Sequence, residues 1–153
     1  MSPSSDRIQR VIFLRAPVAR VWQALATARE FGIWFGVDLD GEFTPGARLR
    51  GRVTHPGYQH LTWDVTIERV EAPRTLAWRW HPHAIDARAD YSSEATTLVE
   101  FELEGVEGVE GGTQLRMTES GFDRLPPERR DVTYRGNADG WAAQLQAIQT
   151  YVG

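Results

Sequence analysis

The sequence predicts an α+β fold in which a curved antiparallel sheet of about seven strands wraps around a long C-terminal helix, with two short helices after strand one. Three observations predict it. Within residues 131–152, Tyr134, Ala138, Trp141, Leu145, Ile148 and Val152 recur at spacings of three and four, the period of one buried helix face. Most of the chain upstream alternates apolar and polar residues, the period of a strand with one face buried. The strand-like segments are joined by short turns, which makes neighbouring strands antiparallel.

The 153 residues predict one domain over 6–152, with residues 1–5 as a disordered tail. A chain of this length buries roughly 70% of its unfolded surface and needs neither metal nor disulfide to fold. The formal net charge of −4 argues against a nucleic-acid partner, whose binding face is usually basic. The absence of cysteine removes disulfides, thiolate nucleophiles and cysteine-ligated zinc. No apolar run approaches the length that spans a bilayer, so no membrane role is expected. The polar opening Met1-Ser2-Pro3-Ser4-Ser5-Asp6 lacks a signal-peptide core, and the expected compartment is the cytoplasm.

Arg7 to Arg15 is β-branched and apolar, and reads as strand one. Pro17 opens a helix, since its missing N–H is not needed at the first helical position. Val18, Val21, Trp22 and Leu25 then give an amphipathic pattern running to about Arg29. Glu30 to Gly36 reads as a second short helix or turn, bent at its glycines. Val37 to Phe43 is a short strand, and Thr44-Pro45-Gly46 a turn. In Arg48 to His55, Arg48, Arg50 and Arg52 share one face and Leu49, Gly51, Val53 and His55 the other. After the turn at Pro56-Gly57, His60 to Val70 points Leu61, Trp63, Val65 and Ile67 to the apolar side. Ala72-Pro73-Arg74 turns the chain into Thr75 to His81, where Leu76, Trp78 and Trp80 share a face. Pro82 to Ser93 reads as a loop. Thr97 to Glu104 places Val99, Phe101 and Leu103 inward, Gly105 to Gly112 is an acidic hairpin turn, and Thr113 to Ser120 aligns Leu115, Met117 and Glu119. Pro126-Pro127 starts the final helix.

Two polar residues interrupt apolar faces: His55, which continues Leu49-Gly51-Val53, and Glu119, which continues Leu115-Met117. An imidazole and a carboxylate aimed at one cavity could orient a ligand or serve as acid and base. The plainer alternative puts both at strand ends, where the sheet rim meets water. Six tryptophans are many for one small domain. Trp63, Trp78 and Trp80, with Trp34, Phe35 and Trp141, could clamp an aromatic ligand, or simply pack. Tyr134, Asn137 and Trp141 come from the long helix, whose Gly136 and Gly140 each cost about 1 kcal/mol against alanine. Such a cost suggests close backbone approach or a kink at a pocket mouth, although a harmless weak point is the bland alternative. His81 and His83, with His55 and His60, are the one metal-like group, but Pro82 breaks the strand and no carboxylate sits at a diagnostic spacing, so no metal is expected. Neither a phosphate-binding glycine loop nor a GxSxG elbow is present, and no cofactor is expected.

Ala16-Pro17 with Val21-Trp22 and Leu25, Phe31 with Trp34-Phe35-Gly36, Pro45-Gly46, the strands from His60 to Trp80, Glu119-Ser120-Gly121-Phe122, and Asn137 with Gly140-Trp141, Leu145 and Tyr151 stand in an order that resembles one family. It is the family of homologues of the activator of heat-shock protein 90 ATPase, within the START-like (SRPBCC) superfamily. The resemblance covers about residues 6–152. It implies the helix-grip fold with a hydrophobic cavity between sheet and last helix. The function expected from this is non-catalytic binding of a small hydrophobic or aromatic molecule by Trp34, Phe35, His55, Trp63, Trp78, Trp80, Glu119, Tyr134, Asn137 and Trp141. The family name implies, as an alternative, regulation of a chaperone ATPase, for which the arginine stripe is the candidate docking surface. A second alternative is a cyclase- or hydrolase-like enzyme using Glu119 and His55. A monomer or a homodimer is expected.

Overall fold

A computed structural model of the chain describes residues 6–82, 89–106 and 111–153. The expected tail at 1–5, His83 and the middle of the acidic turn lie outside the described residues. The elements run β1 (Arg7–Leu14), α1 (Val18–Ala26), α2 (Ala28–Phe35), β2 (Val37–Leu39), β3 (Arg48–Val53), β4 (Thr62–Glu71), β5 (Thr75–Trp80), β6 (Thr97–Gly105), β7 (Thr113–Ser120) and α3 (Pro127–Val152). The seven strands form one sheet in the order β1-β7-β6-β5-β4-β3-β2, antiparallel throughout. The expected fold class is therefore the observed one.

The strand period sets the inward face. Trp63, Val65 and Ile67 of β4, Leu76 and Trp78 of β5, Val99, Phe101 and Leu103 of β6, and Leu115 and Met117 of β7 are all buried in one cluster. Trp141, Leu145 and Ile148 of α3 close that cluster from the other side. Tyr134, Ala138 and Val152 continue the stripe but are only partly covered. The outer face of β3 carries the exposed Arg48, Arg50 and Arg52 as expected.

Several boundaries differ from expectation. The first helix ends at Ala26, because Thr27 is extended (φ −105°, ψ 119°) and bridges to Glu42. A β-branched threonine accepts that conformation readily. The second helix is correspondingly longer and ends at Gly36, whose φ of +94° closes it with an N–H bond to the Gly32 carbonyl. The second strand stops at Leu39, since Gly41 (φ +108°) turns the chain and returns Phe43 to the core. The third stops at Val53: the Thr54 N–H still bonds its register partner Gly36, and the chain then turns, with the Tyr58 N–H bonded to the His55 carbonyl and Gly57 at φ +91°.

Side chains of α3 bind it to both flanks of the sheet. The Tyr134 hydroxyl donates to the Arg7 carbonyl, Gln149 donates to the Phe13 carbonyl, and Gln144 donates to the Phe35 carbonyl at the end of α2. Near the C-terminus, Tyr151 and Arg20 both donate to Glu30 Oε1. The bond to Glu30 first, and then the neighbouring Tyr151 hydroxyl, hold the Arg20 guanidinium above its ordinary range.

Candidate functional site

The site is built around one buried carboxylate. Glu119 follows Leu115 and Met117 on the inward face of β7 and is completely buried. Its Oε2 accepts from Trp80 Nε1 at 2.8 Å and from the Thr97 hydroxyl at 2.5 Å. Its Oε1 accepts from Asn137 Nδ2 at 2.9 Å and Trp141 Nε1 at 2.8 Å. Four donors onto two oxygens match the acceptor capacity of an ionised carboxylate. Among the described residues no arginine or histidine pairs with it. A buried charge is tolerated only when hydrogen bonds replace its water, and here strands β5, β6 and helix α3 all supply them. The carboxylate thus fastens the helix to the sheet.

Trp80 and Trp141 turn their N–H edges to Glu119 and their rings to a pocket of about 130 Å³. Phe35, Asn137, Gly140 and Gln144 complete its lining. The ring centroids of Phe35, Trp80 and Trp141 are 6.1–6.3 Å apart pairwise, with planes tilted by 50–60°. Deeper in the sheet, Trp63 and Trp78 meet edge to face at 5.4 Å, and Phe31 stacks on Phe35 at 4.7 Å. Among the described residues, the buried indole N–H groups of Trp63 and Trp78 have no partner. Most of the concave space is therefore filled by rings, and the remaining opening is smaller than the 300–1,000 Å³ typical of sites for drug-sized ligands.

Of the ten expected site residues, Phe35, Trp80, Asn137 and Trp141 line the pocket, Glu119 lies behind them, and Trp63 and Trp78 sit below. Three stand elsewhere. His55 falls in the exposed turn after β3, beside Gly36 and the Tyr58 ring, because the strand ends two residues earlier than the alternation implied. It does not share a compartment with Glu119, and the acid–base pair of the enzyme reading is not formed. Trp34 donates its N–H to the Ala24 carbonyl and locks α1 to α2. Tyr134 packs on Phe122 at the other end of α3. Thr97 and Gln144 were missed. The signal for Thr97 was its position two residues before the inward Val99, while Gln144 had none, since its role is fixed by where α2 ends.

Gly140 makes no close backbone approach: a Cβ there would meet open space. Among the described residues no three side chains cluster as metal ligands. His81 Nε2 instead sits 3.1 Å from the Glu94 carbonyl, and His60 is exposed. In the arginine stripe, Arg48 forms a two-pronged bond to Asp64 and is held above the usual guanidinium range by it. Arg50 Nε lies 3.5 Å from the same carboxylate.

A seven-stranded antiparallel sheet gripping a long terminal helix over an aromatic pocket defines the START-like, or SRPBCC, class. The sequence model of the family described as "Activator of Hsp90 ATPase homolog 1-like protein" matches residues 15–153, and the chain belongs to that family. No curated protein matches it. Among solved structures, a protein from Arthrobacter aurescens is 20% identical with a TM-score of 0.76, over 97% of this chain and 87% of that one. The Aha1 dimer of Colwellia psychrerythraea is 20% identical with a TM-score of 0.68, over 95% of each chain. DynU16, a protein of the dynemicin biosynthetic locus, is 23% identical with a TM-score of 0.71, over 95% of this chain, which spans only 46% of that one. At these identities the likeness is one of fold. No helix among the described residues is long and apolar enough to cross a membrane.

Proposed function

We propose that this protein binds a small hydrophobic or aromatic molecule between the sheet and α3, without catalysis. The observation that carries the reading is the pocket walled by Phe35, Trp80 and Trp141 beside the saturated Glu119. A carboxylate whose acceptor positions are all taken serves as a scaffold rather than as a proton carrier. Titration of a library of small apolar ligands, followed by tryptophan fluorescence and melting temperature, tests it. Ligands that shift both support the reading, and no response from any of them ends it.

Regulation of a chaperone ATPase is the second reading, favoured by family membership and by the exposed Arg48, Arg50 and Arg52. Its test is stimulation of the heat-shock protein 90 ATPase, which replacing all three arginines with glutamate should abolish. Absence of stimulation by the unmodified protein removes it.

A further inference from the structure

We infer that the pocket is built for a compact organic cation, an alkylated ammonium group, held against π faces and acceptor oxygens. This rests on the binding reading above and names the ligand chemistry of that same site.

The argument starts from where the donors go. Each polar side chain in the lining has spent an N–H inside the protein. Trp80 and Trp141 give theirs to Glu119, Asn137 Nδ2 also faces Glu119, and Gln144 Nε2 faces the Phe35 carbonyl. The two amide orientations are fixed by chemistry, because a carboxylate and a carbonyl only accept. The Asn137 and Gln144 carbonyl oxygens carry no hydrogen bond among the described residues, and neither is sealed in the core. What the pocket offers a visitor is therefore two acceptor oxygens and ring faces, with one remaining N–H on each amide.

Charge points the same way. Glu119 is buried beside the pocket without a cation among the described residues. In a low-dielectric surrounding its field falls off slowly. Both indoles that donate to it are polarised by it, and an indole that gives its N–H to an anion presents a more electron-rich face. Aromatic faces with the positive edge turned away attract cations, and alkylated ammonium groups are the cations that lose least by leaving water. The rings of Phe35, Trp80 and Trp141 pack against one another at a tilt, and all three line the one pocket. At about 130 Å³ that space admits a small head group rather than a polycyclic molecule.

The test compares choline with 3,3-dimethylbutan-1-ol, which has the same shape with carbon in place of the charged nitrogen. Each is titrated into the intact protein at constant ionic strength, with sodium chloride as the control. Indole N–H resonances and tryptophan fluorescence are the readouts. The expected result is binding of choline at least tenfold tighter than the alcohol. It should move the Trp80 and Trp141 resonances and leave that of Trp34 in place. Gly140→Leu, which fills the open space at the mouth, should abolish the choline response while the protein still melts cooperatively. Equal affinity for choline and the alcohol overturns the cation assignment and leaves the apolar-pocket reading standing. Choline failing where a neutral library compound binds has the same consequence. Silence from both probes and from the library removes both readings.

Discussion

Glu119 is the residue on which most of the site depends, and its effect is calculable. Glutamine at this position is nearly the same size but replaces one acceptor oxygen by an NH2 group. Whichever way the amide turns, it meets an indole N–H, either that of Trp80 or that of Trp141. An indole nitrogen can only donate, so one buried donor loses its partner. Glu119→Gln should therefore cost about 1–3 kcal/mol, read as a lower urea midpoint. Wild-type stability would mean that the carboxylate does not fasten α3. The alternation Leu115, Met117, Glu119 made this residue legible in the sequence, because it put a carboxylate on a face that is otherwise apolar. The same logic failed at His55. Alternation continues on paper past the point where a strand ends, and the turn closed by the Tyr58 N–H on the His55 carbonyl ends this one.

Glycines on helices separate local preference from packing at the scale of elements. Gly32 in α2 and Gly140 in α3 look alike in sequence, and alanine would gain about 1 kcal/mol of helix propensity at either. Their surroundings differ. A Cβ on Gly32 would lie 2.1 Å from the Val37 carbonyl oxygen, whereas one on Gly140 would touch nothing. Forcing backbone apart costs about 1–3 kcal/mol, which outweighs the propensity gain. Gly32→Ala should therefore lower the thermal midpoint and Gly140→Ala raise it. Two shifts of the same sign would contradict the packing of α2 on β2. Helix periodicity revealed α1 and α3, but the break at Thr27 was not legible, because the bridge to Glu42 that holds it is a tertiary contact.

The whole molecule is closed by contacts between its ends. The first strand pairs along its full length with the last, Arg7 with Ser120 through Leu14 with Thr113. Tyr134 bonds Arg7 across 127 residues and Gln149 bonds Phe13 across 136. Such distant pairings must pay loop-closure entropy before they contribute, which slows folding to the millisecond-to-second range. Stopped-flow refolding followed by tryptophan fluorescence should show that timescale, and microsecond refolding would contradict it. By itself the sequence determined the class of fold, the strand faces and the terminal helix, since periods of two and of three to four are local properties of the chain. Only the tertiary structure decided that the tryptophans mostly fill the hollow instead of lining it, that Glu119 is saturated, and that His55 lies apart. Ring orientation, hydrogen-bond partners and leftover volume depend on how distant segments meet, and spacing along one chain does not encode them.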